Sequence, residues 1–310
     1  MNKKINIIDY LPKNKKEEFL EKSNYVQISN FQELKEVVEN LSNAKKLDFF
    51  RFNEFYTNVM GNEWLLHIPI SKYGVLNIKE DIPNSPASIQ NAIKEKFAIL
   101  IPIQILSDGN LVCFKEKTLG HLAHENGYIA NFTYEELLEI KLNETDNHVM
   151  LLSDVLDLVK GKVPVVIEII NESSANKVEE TLLKNILAYI EKYPTAFNKI
   201  AILSANPYSL EWFYKNAAYF SRIIRGSFFQ GLTEYAGIKT KKLKKLKYAT
   251  KIAHADFIAY DSSNIPNPYI KKHKPYGVIA YNVNNQKEYE DILGLSLADN
   301  IIFTDFIPKI

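Results

Sequence analysis

A few side chains in this 310-residue sequence have the types and settings that proton transfer or ion binding needs. Glu168 ends the apolar run "VPVVIE" (163–168). A buried, unpaired carboxylate is costly, so Glu168 requires a partner, and Lys115 in "CFKEK" is the candidate. The neighbouring Glu116 reads as a solvated loop acid. His67, in "WLLHIPI", is either a proton-transfer group or a satisfied histidine at a strand end. His121 and His124 stand three apart in "LGHLAHENG", a spacing that invites a metal. With no third ligand nearby in sequence, a solvated loop explains them better. Cys113 is the single cysteine and lies in an apolar run, which excludes a disulfide framework and suits a buried, inert thiol.

The elements that must position these groups follow from the hydrophobic pattern. Eight apolar runs rich in β-branched or aromatic residues recur from residue 64 onward, from "WLLHIPI" (64–70) and "FAILIPIQIL" (97–106) to "YGVIAYNV" (276–283) and "NIIFTDF" (300–306). Helical patterns alternate with them. In "NKVEETLLKNILAYIEKY", Val178, Leu182, Leu183, Ile186 and Leu187 recur at helical spacing. Continuous apolar strands between amphipathic helices specify a parallel sheet covered by helices. Eight units without a Gly-rich phosphate turn after the first strand favour a (β/α)8 TIM-type barrel over an open sheet. A loop-side insertion after the second strand, at about 107–160, is the usual place for substrate-facing structure. Residues 1–60 read as a helix-rich N-terminal extension to a barrel spanning 61–310, with "KKEEFLEK" and "FQELKEVVENLSN" as its helices. Within the second run, Pro102 is out of place for a central strand. The "SDGN" turn (107–110) that follows marks a reversal, with Gly109 supplying positive φ.

Composition narrows the partners. Apolar residues make up 46% and charged residues 24%, ordinary for a soluble globular chain. A formal charge of +1 predicts neither nucleic acid nor an anionic membrane as partner. Seven lysines crowd "KTKKLKKLKYATK" (239–251), which reads as a solvated amphipathic face with Leu243 and Leu246 inward. Contact with an acidic membrane surface is the minor alternative. No run of about 18 apolar residues and no signal-peptide pattern occurs, so a cytoplasmic location without a transmembrane segment is expected.

Taken in order, several segments resemble the glycerophosphodiester phosphodiesterase family over about 65–310. "SDGNLVCFKEKTL" is similar to the family's Asp-Gly turn leading to Phe-His-Asp and Thr-Leu. "GYIANFTYEELLEIKL" and "LLSDVLDLVKGKVPVVIEI" resemble the stretch ending in its Glu-x-Lys strand. "SANPYSLEWFYKNA" is similar to its Ser-Phe-Asn-Pro segment, and "VIAYNVNNQKEYEDIL" with "ADNIIFTDFIP" to its closing strands. Family members hydrolyse glycerol-linked phosphodiesters with two histidines and a divalent metal, usually calcium or magnesium. One imidazole helps generate the nucleophile, the other protonates the leaving alkoxide, and the metal offsets phosphate charge.

Position by position, the resemblance implies a reduced site. His67 falls at the first catalytic histidine, with Ile68 and Pro69 replacing the Arg and Gly that follow it. "PNSP" keeps Asn84 and Ser85 of the Glu-Asn-Ser/Thr turn, with Pro83 at the acid. The metal-binding Glu-x-Asp pair falls at Leu100 and Pro102, so both carboxylates are absent. Lys115 and Glu116 take the places of the second histidine and its Asp. Glu168 survives as the third metal ligand, with Ile170 at the strand's Lys. The expectation is a family member that has lost metal-dependent hydrolysis and binds a small phosphate-containing ligand or a protein partner. His67 and Lys115 are then remnants of the catalytic pair, and Glu168, Glu116 and Asn84 candidate ligand contacts. No calcium or magnesium cofactor is expected, since one carboxylate beside Leu and Pro cannot hold such an ion well. The rival expectation is a weak or metal-independent phosphodiesterase.

Overall fold

The structure is a computed structural model that describes residues 63–76, 82–120, 127–143, 145–170, 176–217, 223–229, 251–265 and 277–309. The expected N-terminal extension, His121, His124 and most of the lysine-rich segment lie outside these residues. Eight parallel strands close a barrel: β1 (Ile70–Lys72), β2 (Ala98–Ile105), β5 (Val165–Ile169), β6 (Ile200–Ser204), β7 (Ile224–Phe229), β8 (Phe257–Asp261), β9 (Gly277–Val283) and β10 (Asn300–Phe303). Strand β1 shuts the ring by pairing with both β2 and β10. Two short strands, β3 (Leu111–Cys113) and β4 (Met150–Leu151), extend antiparallel from the end of β2. The TIM-type fold read from the alternation is the fold observed.

Both faces of each barrel strand are buried, which is why the strands read as unbroken apolar runs. Ile70, Leu100, Val166, Leu203, Phe257 and Ile279 pack inside the barrel. Their neighbours Ile99, Ile101, Val165, Ile167 and Ile202 face the helical layer. That layer includes α2 (Pro86–Lys94), α4 (Leu152–Val159), α5 (Lys177–Lys192), α6 (Pro207–Asn216) and α7 (Gln286–Gly294). Helix α2 starts cleanly because the Ser85 side chain caps Ser88 N–H and Pro86 opens the first turn. Beside β3 and β4, Leu106, Phe114, Leu119, Ile129 and Leu137 form a small separate core. It holds α3 (Tyr134–Leu138), whose start carries a Thr133–Glu136 capping box.

Inside the barrel Gly226 leaves room for Phe257. A Cβ at Gly226 would run into that ring. Gly226→Ala should therefore lower unfolding free energy by about 2 kcal/mol, as overpacked cores do. A shifted urea midpoint with unchanged slope is the reading that checks it.

The first run departs from expectation. "WLLH" is not strand but the short helix α1 (Trp64–His67), and β1 begins only at Ile70. Apolar periodicity cannot separate a short strand from a short buried helix. Tertiary contacts decide. Trp64 Nε1 donates to the Asn198 carbonyl at 2.8 Å. Asn300 Nδ2 donates to the carbonyls of Leu65 at 2.8 Å and Ile68 at 2.7 Å. These bonds fix α1 at the N-terminal ends of β6 and β10.

Candidate functional site: a paired-lysine barrel mouth

In a barrel of this kind the reactive groups stand at the C-terminal ends of the strands. Side chains that continue the inward face of Ile70, Leu100 and Val166 are Lys72, Pro102 and Glu168, two residues further along. Pro102 and Glu168 are cross-strand partners, and Lys72 is opposite Leu100.

Pro102 is tolerated because of where β1 stops. Ile99 N–H and the Ile103 carbonyl bond toward β5, whereas Ala98 N–H and the Leu100 carbonyl bond toward β1. By alternation Pro102 turns its missing N–H toward β1, beyond that strand's last pair. The next carbonyl there, Tyr73, is bonded instead by Asn84 N–H at 2.8 Å and by Ser88 Oγ at 3.2 Å. No ladder donor is lost.

Lys115 reaches the mouth through its hairpin. Buried Gln104 donates from Nε2 to the carbonyls of Phe114 at 2.9 Å and Glu116 at 2.7 Å, gripping the backbone on both sides of Lys115. Lys115 Nζ then donates to Glu168 Oε1 at 2.7 Å. The Glu168 side chain is 3% exposed and that of Lys115 27%. Glu168 Oε2 has no partner, nor has the buried Tyr73 hydroxyl.

Lys72 lies between two rings, its Nζ 5.4 Å from the centroid of Tyr73 and 5.1 Å from that of Tyr281. It donates to Asn282 Oδ1 at 2.8 Å. Phe228 packs edge-on against Tyr281, with centroids 4.6 Å apart, and lies beneath Lys115. Burial holds the Lys72 ammonium below the usual lysine range, and the charge of Lys115 pushes it the same way. Glu168, Asp305 and Glu116 oppose that shift. Burial raises the Tyr73 and Tyr281 hydroxyls, and the charge of Glu168 adds to it. The two hydroxyls influence one another, but Tyr73 is not placed for an ordinary hydrogen bond.

The structure brings together some of the residues singled out from sequence and not others. Lys115 and Glu168 form the pair that the burial cost required. Glu116 is exposed at the rim, near enough to act on the charge of Lys72. Asn84 is buried beneath the end of β1, its backbone tied to Tyr73 and its Oδ1 unpartnered. His67 does not reach the mouth. It ends α1, exposed, at the opposite end of the barrel. β1 ends at Lys72, and it is Lys72 rather than His67 that stands at the mouth. Gly74 turns the chain just after β1, with φ +94° and no room for a Cβ, which would lie 2.6 Å from the Ser88 backbone. Among the described residues the mouth therefore holds two lysines, Lys72 and Lys115.

The described residues at the mouth do not fit a divalent ion. Leu100 and Pro102 offer hydrocarbon, one oxygen of Glu168 is taken by an ammonium, and a second ammonium stands nearby. Calcium or magnesium needs several converging oxygens. Among the described residues no group of three or more His, Cys, Asp or Glu side chains is arranged to hold a metal.

Comparison with known proteins agrees with the barrel fold. Residues 78–309 match the glycerophosphoryl diester phosphodiesterase family, and the chain belongs to it. Among solved structures it is similar to an Oleispira antarctica phosphodiesterase in complex with the product sn-glycerol-3-phosphate. The TM-score is 0.62 and the identity 14%, covering 78% of this chain and 94% of that one. It is also similar to a glycerophosphodiester phosphodiesterase of Thermotoga maritima, with TM-score 0.55 and 16% identity over 76% and 94% of the two chains. A Parabacteroides distasonis glycerophosphoryl diester phosphodiesterase covers 90% of this chain with 89% of its own, at 18% identity and TM-score 0.54. Such identities establish the shared fold. No curated relative matches the chain. Among the described residues, no helix is long and apolar enough to cross a membrane.

Proposed function

We propose that this family member binds a small phosphate-bearing molecule at the barrel mouth and does not carry out the family's metal-dependent hydrolysis. The observation behind this reading is the Lys115–Glu168 pair beside Leu100 and Pro102. An ammonium of the chain itself stands against Glu168, and among the described residues no group of carboxylates is arranged around it to hold a metal. Lys72 and Lys115 supply positive charge for a phosphate. Neither offers the neutral-pH proton shuttling of an imidazole. Tyr73, Tyr281 and Phe228 give the ligand's carbon skeleton an aromatic wall.

Calorimetric titration with sn-glycerol 3-phosphate, alongside a glycerophosphocholine turnover assay, tests the reading. Saturable binding without turnover, with or without calcium or magnesium, is expected. Chelator-sensitive turnover would overturn it, and chelator-resistant turnover would establish a metal-independent phosphodiesterase instead. Lys72→Ala should weaken binding by about 2 kcal/mol, roughly 30-fold, the scale of a lost charged hydrogen bond.

The pH dependence has a fixed sign. Lys72 loses its proton at lower pH than an ordinary lysine. Affinity for the anion should therefore be full at neutral and acid pH, as long as the ligand stays ionised. It should fall as pH rises through the depressed value of Lys72. Lys72→Arg should flatten that fall, because guanidinium stays charged.

A further inference from the structure

We propose that the barrel mouth reads a hydroxyl on its ligand through the unbonded oxygen of Glu168 and the Tyr73 hydroxyl, so that the ligand is the phosphate ester of a hydroxylated carbon skeleton. The assignment rests on the phosphate-binding role given above and adds to it the chemistry of the ligand's other end.

Most polar side chains of the mouth have partners. Gln104 bonds two carbonyls, Lys72 bonds Asn282 and Lys115 bonds Glu168. Two buried atoms do not. Glu168 is 2% exposed and continues the inward face of Val166; Lys115 takes its Oε1, and its Oε2 bonds to nothing. Tyr73 is 9% exposed and packs in the same interior cluster, and its hydroxyl is also unbonded. The two belong to one neighbourhood, because the charge of Glu168 acts on that hydroxyl. Each atom gives up on folding the hydrogen bonds it made to water, and neither the ion pair nor the packing returns them. A ligand that supplies the missing partners recovers that loss only when bound.

The types of the two atoms fix what that partner is. An ionised carboxylate only accepts, so the group that meets Oε2 must bring a proton on oxygen or nitrogen. An ammonium is disfavoured, because Lys72 and Lys115 already bring two positive charges to this mouth. An alcohol carries no such penalty. It donates to a carboxylate and accepts from a phenol O–H, which suits Glu168 Oε2 and Tyr73. A phosphate oxygen does not suit Oε2, since two acceptors of like charge would then meet. The ligand is thus anionic at the end that the lysines hold and hydroxylated at the end that faces Glu168 and Tyr73. An alkyl phosphate without a hydroxyl leaves both atoms unpaired, and a site built to bond a hydroxyl discriminates against the analogue that lacks it.

Calorimetric titration of the full chain with sn-glycerol 3-phosphate, ribose 5-phosphate and n-propyl phosphate tests this. At least one hydroxylated ester should bind about 30-fold more tightly than the propyl ester, the scale of a hydrogen bond to a charged group. Preference for sn-glycerol 3-phosphate alone assigns an open-chain polyol, and preference for ribose 5-phosphate alone assigns a sugar. Preference for both shows that the hydroxyl is read whatever carries it. Tyr73→Phe removes one oxygen and should reduce the preference about fivefold. It should melt no lower than the parent, because the deleted atom has no partner to lose. Equal binding of all three esters would overturn the hydroxyl assignment and leave phosphate binding standing. A preference that Tyr73→Phe leaves intact, or a loss shared equally by the three esters, would overturn the part given to Tyr73. Binding of none of them would overturn the phosphate role itself, and this assignment with it.

Discussion

Lys115→Met should cost the fold about 3 kcal/mol, the lower end of the range for removing one member of a buried ion pair. Glu168 is nearly sealed from solvent and already has one oxygen without a partner; losing Lys115 orphans the other as well. Leu100 and Val166 line the same interior face and supply no donor. The partial exposure of the Lys115 side chain, 27%, places the estimate at the low end. Most of the cost is the stranded carboxylate rather than the lost attraction. The double variant Lys115→Met with Glu168→Leu should therefore recover most of the loss, because a hydrocarbon replacement for both partners leaves nothing to desolvate. Urea unfolding of the three proteins measures it. A single variant as stable as the parent, or a double variant no better than the single, would show that the pair is not what satisfies Glu168.

The second large effect is a gain. If the mouth lacks a metal because hydrocarbon and an ammonium replaced oxygens and an imidazole, restoring them should bring an ion back. Leu100→Glu, Pro102→Asp and Lys115→His together rebuild two carboxylates on the face shared with Glu168 and remove the competing cation. Register makes this specific, since Pro102 is the cross-strand partner of Glu168. The triple variant should be less stable than the parent without metal. With calcium or magnesium at 100 times the dissociation constant it should gain about 2.7 kcal/mol by mass action. Thermal melts with and without each ion give the comparison. The parent should show no such shift. A parent that is stabilised by the ion as strongly as the triple variant would refute the explanation.

Much of this protein was legible in its sequence because burial on two faces writes a strand as an unbroken apolar run. Six of the eight expected runs contain the strands observed and a seventh misses only Phe229 of β7, while the first failed for a physical reason. "WLLH" has the composition of a strand, but Asn300 and Asn198 hold it as a helical turn across the barrel floor. That helical turn leaves His67 at the floor and carries Lys72, five residues later, to the mouth. The Glu168–Lys115 pairing could be read because a buried carboxylate demands a cation whatever the details. Gln104, which aims Lys115, could not, since a side chain bonding two carbonyls across a hairpin leaves no periodic trace. Nor could the wall made by Tyr73, Phe228 and Tyr281, which come from three strand ends far apart in the chain.

The most direct test of the central claim, that lysine charge does at this mouth what a divalent ion does elsewhere in the family, is one titration run under two conditions. sn-Glycerol 3-phosphate is added to the full chain in excess chelator and again in millimolar calcium or magnesium, with calorimetric readout. Equal affinity in both, lost together in Lys72→Ala and Lys115→Met, is the predicted result. Binding that appears only with the ion, and that Glu168→Gln abolishes, would contradict it.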